Sequence, residues 1–118
     1  MTNSEFLKKL GEYESDKKKV SKLEKIYGYK IPEIIGRIVS FASKPIFLEG
    51  YRILSFGEVC EADDGLNVKF SEKKIIPLID CGDNDFIVYH CKLGEWSKFN
   101  IIDECAFKKK SSLDELLK

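Results

Sequence analysis

The chain has 118 residues, of which 43% are apolar and 34% charged, with Lys+Arg and Asp+Glu equal at 20 each. That length suits one domain around one core and excludes two of ordinary size. The apolar share excludes intrinsic disorder, and the short apolar runs exclude a helical membrane span of roughly 20 residues.

Met1 to Phe6 shows no basic region leading into an apolar one, so no signal peptide is expected and the expected address is the cytosol. Cys60, Cys81, Cys91 and Cys105 lack the close pairing of a zinc or redox motif, so free thiols are expected. Charge is unevenly placed. Residues 1–30 carry eight basic and five acidic side chains. Residues 49–64 carry Glu49, Glu58, Glu61, Asp63 and Asp64 against Arg52 alone. Residues 80–104 carry six acids against Lys92 and Lys98, and 105–118 is basic again. A nucleic-acid-binding domain has a basic stripe and a high pI. Two acidic blocks in a neutral chain instead suit a basic protein partner, with direct nucleic-acid binding excluded.

In chain order, Ser4 is placed to cap a first short helix that presents Phe6, Leu7 and Leu10 and ends at Gly11. Val20, Leu23, Ile26 and Tyr27 share one face of a helix over about 16–27, and Gly28 suits its left-handed cap. Pro32 suits the first position of a third, strongly apolar helix through Phe41, and Pro45 bars its continuation. The period then changes to two. Ile46–Leu48 and Tyr51–Leu54 read as strands joined through Glu49-Gly50. Ser55-Phe56-Gly57-Glu58 is a capping box, which predicts a helix over about 56–63 that ends at Asp64-Gly65.

Ile75–Asp80 is a strand, and Pro77 predicts that it lies at an edge or is locally unpaired there. Cys81–Asp85 is a turn, and Phe86–Cys91 is the strongest strand in the chain. Lys92–Glu95 turns back into a strand over 96–102, so these three strands form an antiparallel meander. A last helix starts near Ser112, where Ser112–Glu115 repeats the capping-box pattern. Helices at both ends with strands between define an α+β domain spanning 1–118.

His90 is the only imidazole, and as a strand neighbour of Cys91 it points to the opposite face, which disfavours a Cys–His pair. Asp80–Asp85 gathers three carboxylates but places Gly82 third and Cys91 twelfth, which fails the calcium-loop pattern. A hairpin turn is the first reading, a protein-contact loop the second and a weak cation site the third. Phosphate-loop, dinucleotide, zinc-hydrolase and serine-hydrolase motifs are absent from the sequence, so no catalytic residue, cofactor or metal is expected. Trp96 reads first as a core residue and second as an interface anchor.

Tyr29-Lys30-Ile31-Pro32, Tyr51-Arg52-Ile53-Leu54-Ser55, the run Ile76-Pro77-Leu78-Ile79-Asp80-Cys81-Gly82-Asp83-Asn84-Asp85-Phe86-Ile87-Val88-Tyr89, Trp96 and the closing Ser112–Leu117, taken in that order, resemble the SUKH superfamily over residues 16–118. That group holds bacterial immunity proteins of polymorphic and contact-dependent toxin systems and fungal cell-wall-synthesis regulators. The resemblance implies a central mixed or antiparallel sheet of about four to six strands, flanked by N-terminal helices and a C-terminal helix. It also implies a task, which is to bind a cognate toxin's C-terminal domain, often a nuclease, and block it by occlusion. The residues expected at that contact are Glu58, Glu61, Asp63, Asp64, Asp83, Asp85 and Trp96. Two other readings compete: an intracellular scaffold or regulatory interaction domain, and a small-ligand binder or enzyme using His90, Cys91 or the aspartate turn.

Overall fold

A computed structural model describes residues 1–117; Lys118, the last residue of the expected domain, lies outside them. Three helices open the chain: α1 (Asn3–Glu12), α2 (Lys17–Tyr27) and α3 (Glu33–Phe41). Thr2, rather than Ser4, caps α1 by accepting the Glu5 amide at 3.1 Å, and Ser4 lies inside the helix. Asp16 caps α2 through the Lys18 amide at 2.9 Å, and Gly28 ends it in the left-handed region. Pro32 stands just outside α3, and Glu33 is its first residue. Gly36 lets α3 approach α2 closely, because a Cβ there would lie 2.5 Å from Ser15 Oγ and 2.9 Å from Val20 Cγ2.

Six strands follow: β1 (Ile46–Leu48), β2 (Tyr51–Ile53), β3 (Ile75–Gly82), β4 (Asp85–His90), β5 (Glu95–Asn100) and β6 (Cys105–Lys110). They pair in sequence order, and each pairing is antiparallel, so the mixed alternative falls away. Helices flank this sheet, which makes the chain an α+β protein. β3 is an interior strand where β2 pairs with it, at Ile79 and Asp80, which corrects placement of the whole strand at an edge. Pro77 pairs with Val88 of β4 and stands outside the β2 register, as the local alternative has it. The sheet accommodates Pro77, which lacks an amide donor, with a register shift between Pro77 and Ile79. There the Leu78 carbonyl turns to β2 and accepts the Leu54 amide at 2.9 Å.

Between β2 and β3 the chain makes three short helices: α4 (Phe56–Cys60), α5 (Ala62–Leu66) and α6 (Phe70–Lys73). The expected single helix over 56–63 is therefore broken at Glu61, and Asp64 and Gly65 lie within α5 instead of ending α4. Neither α6 nor β6 is predicted from the sequence. The closing helix, α7 (Leu113–Leu116), packs on β5 and β6, but Ser112 makes no side-chain capping bond.

One continuous core joins these layers, including Phe6, Leu23, Tyr27, Ile35, Ile53, Val59, Phe70, Ile79, Ile87 and Leu113. A fully buried aliphatic side chain of this kind contributes about 1.5–3 kcal/mol. Tyr27 Oη donates to the Val59 carbonyl at 3.0 Å, fixing α4 to α2. The Phe70 ring lies 5.7 Å from that of Phe99, fixing α6 over the sheet. The acidic helical excursion thus sits on a packed floor.

Candidate functional site: an acidic band

The capping box at Ser55 forms in full. Ser55 Oγ accepts the Glu58 amide at 3.2 Å, and Glu58 Oε1 accepts the Ser55 amide at 3.0 Å. Arg52 then joins two acids that are far apart in sequence. Its Nη1 donates to both Glu58 carboxylate oxygens at 2.9 and 3.0 Å, and its Nη2 lies 3.6 Å from Asp80 Oδ2. Burial pushes the Glu58 carboxyl up, but the Ser55 amide and the Arg52 guanidinium together hold it below its ordinary value. Glu58 is therefore partly neutralised, whereas Glu61 beside it is exposed.

Asp63 and Asp64 line an open groove of about 540 Å³ with Asn67, Val68, Lys69, Glu72, Lys73 and Glu104. Asp63 is half-buried, and its carboxylate accepts both the backbone amide and the hydroxyl of Ser71, which ties α5 to α6. Asp64, Glu72 and Glu104 are exposed. Lys73 Nζ reaches Glu104 at 3.3 Å and links α6 to the turn between β5 and β6.

Asp83 and Asn84 form the two-residue loop between β3 and β4. Both have positive φ, 53° and 66°, as a hairpin loop of type I′ requires. Asp83 is exposed, and Asp85 accepts Asn100 Nδ2 at 2.9 Å. The other side-chain oxygen of this network, Asn100 Oδ1, accepts the amides of Ile102 and Asp103. The Ile101 amide donates to the Asn84 carbonyl at 2.9 Å, so the β3–β4 and β5–β6 hairpin ends are tied together. Through Glu104, these two ends meet the groove that Asp63 and Asp64 line. The expected acids therefore form a chain of neighbours, from Glu58 and Glu61 through Asp63 and Asp64 to the hairpin ends.

Sequence reasoning missed Glu72, Asp80, Asp103 and Glu104 as members of this band. Asp80, Asp103 and Glu104 were visible as part of the acidic 80–104 block, but Asp80 meets α4 only through its β2 neighbour Arg52, and the placing of Asp103 and Glu104 depends on the pairing of β6. Glu72 stands outside both blocks, and nothing local marked it. Trp96 does not belong with the acids: it is 4% exposed, and its ring lies edge-on to Tyr89 at 5.2 Å. It is a core residue, without a face to offer a partner.

His90 hydrogen-bonds to Ser97 Oγ at 2.7 Å through Nε2, a partner that the sequence does not suggest. Ser97 is fully buried, so its hydroxyl cannot meet a substrate. Burial pushes the thiols of Cys60 and Cys91 up and that of Cys81 up to about 11, which disfavours the reactive thiolate. No three metal-ligating side chains converge among the described residues, and no helix there is long and apolar enough to cross a membrane. Compared with known proteins, the chain matches no family model, no curated protein and no solved structure.

Proposed function

We propose that this protein is an immunity protein that binds the C-terminal domain of a cognate bacterial toxin acting on nucleic acid, and neutralises it by covering its active cleft. The observation that supports this reading is the acidic band over α4, α5 and the two hairpin ends. A nuclease must attract phosphates, so its cleft is basic. Carboxylates presented to that cleft speed association and compete with the nucleic acid's own charge. The packed floor beneath the band holds the contact surface in place before binding, which lowers the cost of ordering it. Residues Glu61, Asp64 and Asp83, exposed and without an ion pair among the described residues, carry most of the attraction in this reading. Work is done by occlusion, without turnover, in the cytoplasm that also holds the toxin's target.

The test mixes purified protein with the toxin domain encoded beside its gene. Stoichiometric loss of toxin activity is expected, with association slowing as salt rises. A toxin domain that stays fully active and unbound under excess protein defeats the proposal. Tight binding to an ordinary cellular protein in its place would favour the scaffold reading.

A further inference from the structure

The turn between β5 and β6 carries a side chain that the fold does not use. Ile102 is 70% exposed, whereas its neighbour Ile101 packs against the core. Tight turns are ordinarily built from Gly, Pro, Asn, Asp and Ser, whose backbone preferences and short side chains suit them. A β-branched isoleucine meets no such need, and it stabilises only when something covers it. Single exposed apolar side chains are common on protein surfaces. Ile102 differs from them in how it is held and in what surrounds it. Asn100 Oδ1 accepts the amides of Ile102 and Asp103 at 2.9 and 3.0 Å, and Asn100 Nδ2 donates to Asp85. The Ile101 amide donates to the Asn84 carbonyl at 2.9 Å. Three successive amides of the turn are thus held, one of them by the neighbouring hairpin. From the other side, Lys73 Nζ reaches Glu104 at 3.3 Å and ties the turn to α6.

The surroundings are acidic. Asp103 and Glu104 follow Ile102 directly, and Asp83 stands on the hairpin loop to which the turn is tied. Asp64 and Glu72 line the same groove as Glu104. All five acids are exposed. Among the described residues, two other large apolar side chains are more than half exposed, and neither has this setting. Leu93 lies among Lys73, Lys74 and Lys92, and Phe47 stands on the edge strand β1 opposite Arg52. An apolar group ringed by polar ones is the pattern of a binding hot spot, in which the ring keeps water from the centre. Resting on the toxin-binding reading, we infer that Ile102 is the apolar anchor of the contact, seated in an apolar pocket of the partner whose rim is basic. The acids steer the partner, and the isoleucine holds it. Charge acts on association, and the desolvated anchor acts on dissociation. Because the turn is held before binding, little is lost in ordering it.

The experiment measures association and dissociation rates with the toxin domain encoded beside the gene, for the parent chain and for Ile102→Ala, Ile102→Val and Ile102→Asp. Ile102→Ala is expected to weaken binding about thirtyfold or more. The loss falls on dissociation, and the salt dependence of association stays that of the parent. Ile102→Val keeps most of the apolar surface and recovers most of the affinity. Ile102→Asp separates the anchor from the charge around it. An added carboxylate tightens a contact that charge alone makes with a basic partner, and it weakens one that needs an apolar anchor. Weaker binding is expected. All three variants are expected to unfold at the parent's thermal midpoint, because the side chain lies outside the core. Parent-like binding by Ile102→Ala, or tighter binding by Ile102→Asp, would overturn the inference and leave the toxin-binding reading standing. A toxin domain that the parent chain itself does not bind defeats both.

Discussion

The β3–β4–β5 ladder and the α4–α6 excursion are held by different forces. Strand residues Ile76, Leu78, Ile79, Ile87 and Val88 are fully buried, and their order follows from apolar packing. The excursion has three helices of five, five and four residues, each too short to be stable alone. Polar contacts position it: the Ser55–Glu58 box, the Arg52 bridge and the Asp63–Ser71 pair, with Val59, Ala62 and Phe70 as its apolar anchors. The ladder therefore sets stability, and the excursion can vary its exposed acids, Glu61 and Asp64, at small cost. Under the toxin-binding proposal, that division suits a surface that must match one partner.

The comparison breaks most visibly in the ladder. Ile87→Ala is expected to cost about 2–5 kcal/mol in denaturant unfolding, because the strand cannot collapse into the space. If it costs under ~1 kcal/mol, the ladder is not the stabilising half. Next is Asp63→Ala, which strips Ser71 of the acceptor for both its amide and its hydroxyl. About 1–3 kcal/mol is expected, with faster hydrogen exchange confined to residues 61–73. Exchange that rises equally in β4 would show that the two regions open together.

The chain reveals these two regions unequally. β3, β4, β5 and α2 follow from period, turn chemistry and caps, since their own residues specify them. β6 was missed because its alternation is weak: Cys105, Phe107 and its three lysines are exposed, with Ala106 only half-buried. α6 was missed because its four residues are placed by the Phe70–Phe99 contact and the Asp63–Ser71 bond, both with distant partners. The exposed acids could be chosen from the sequence as charges, but the closure of the band needed the pairing of two hairpin ends. Trp96 shows the opposite limit, since a residue type favoured at interfaces is equally at home in a core.

Smaller effects sharpen the comparison. Glu58 has a lowered folded pKa, so its contribution is present above the ordinary glutamate value of about 4.3 and is lost as pH falls through the lower, folded value. Glu58→Gln is expected to remove that acid-side slope, as read from unfolding curves between neutral and acid pH. An unchanged slope would mean that neither the Ser55 amide bond nor the Arg52 bridge holds the Glu58 carboxylate in solution. Smallest of all are Glu61→Gln, Asp64→Asn and Asp83→Asn, each within about 0.5 kcal/mol of the parent in stability. Under the toxin-binding proposal, the triple variant associates with its basic partner more slowly, above all at low salt. Stability loss comparable to Asp63→Ala would place these acids among the structural ones.

β6 has a consequence beyond packing. Lys108 takes φ 52° where the β5–β6 register shifts, so the outer strand is bent and ends in three lysines. An edge of that kind resists a further strand. The opposite edge, β1, offers only three residues. A partner is thus steered away from backbone pairing, which any sequence can imitate, and towards side chains. Recognition through side chains can drift one substitution at a time, with no register to preserve. Under the toxin-binding proposal, an inhibitor built this way can follow a changing target while its sheet stays as it is.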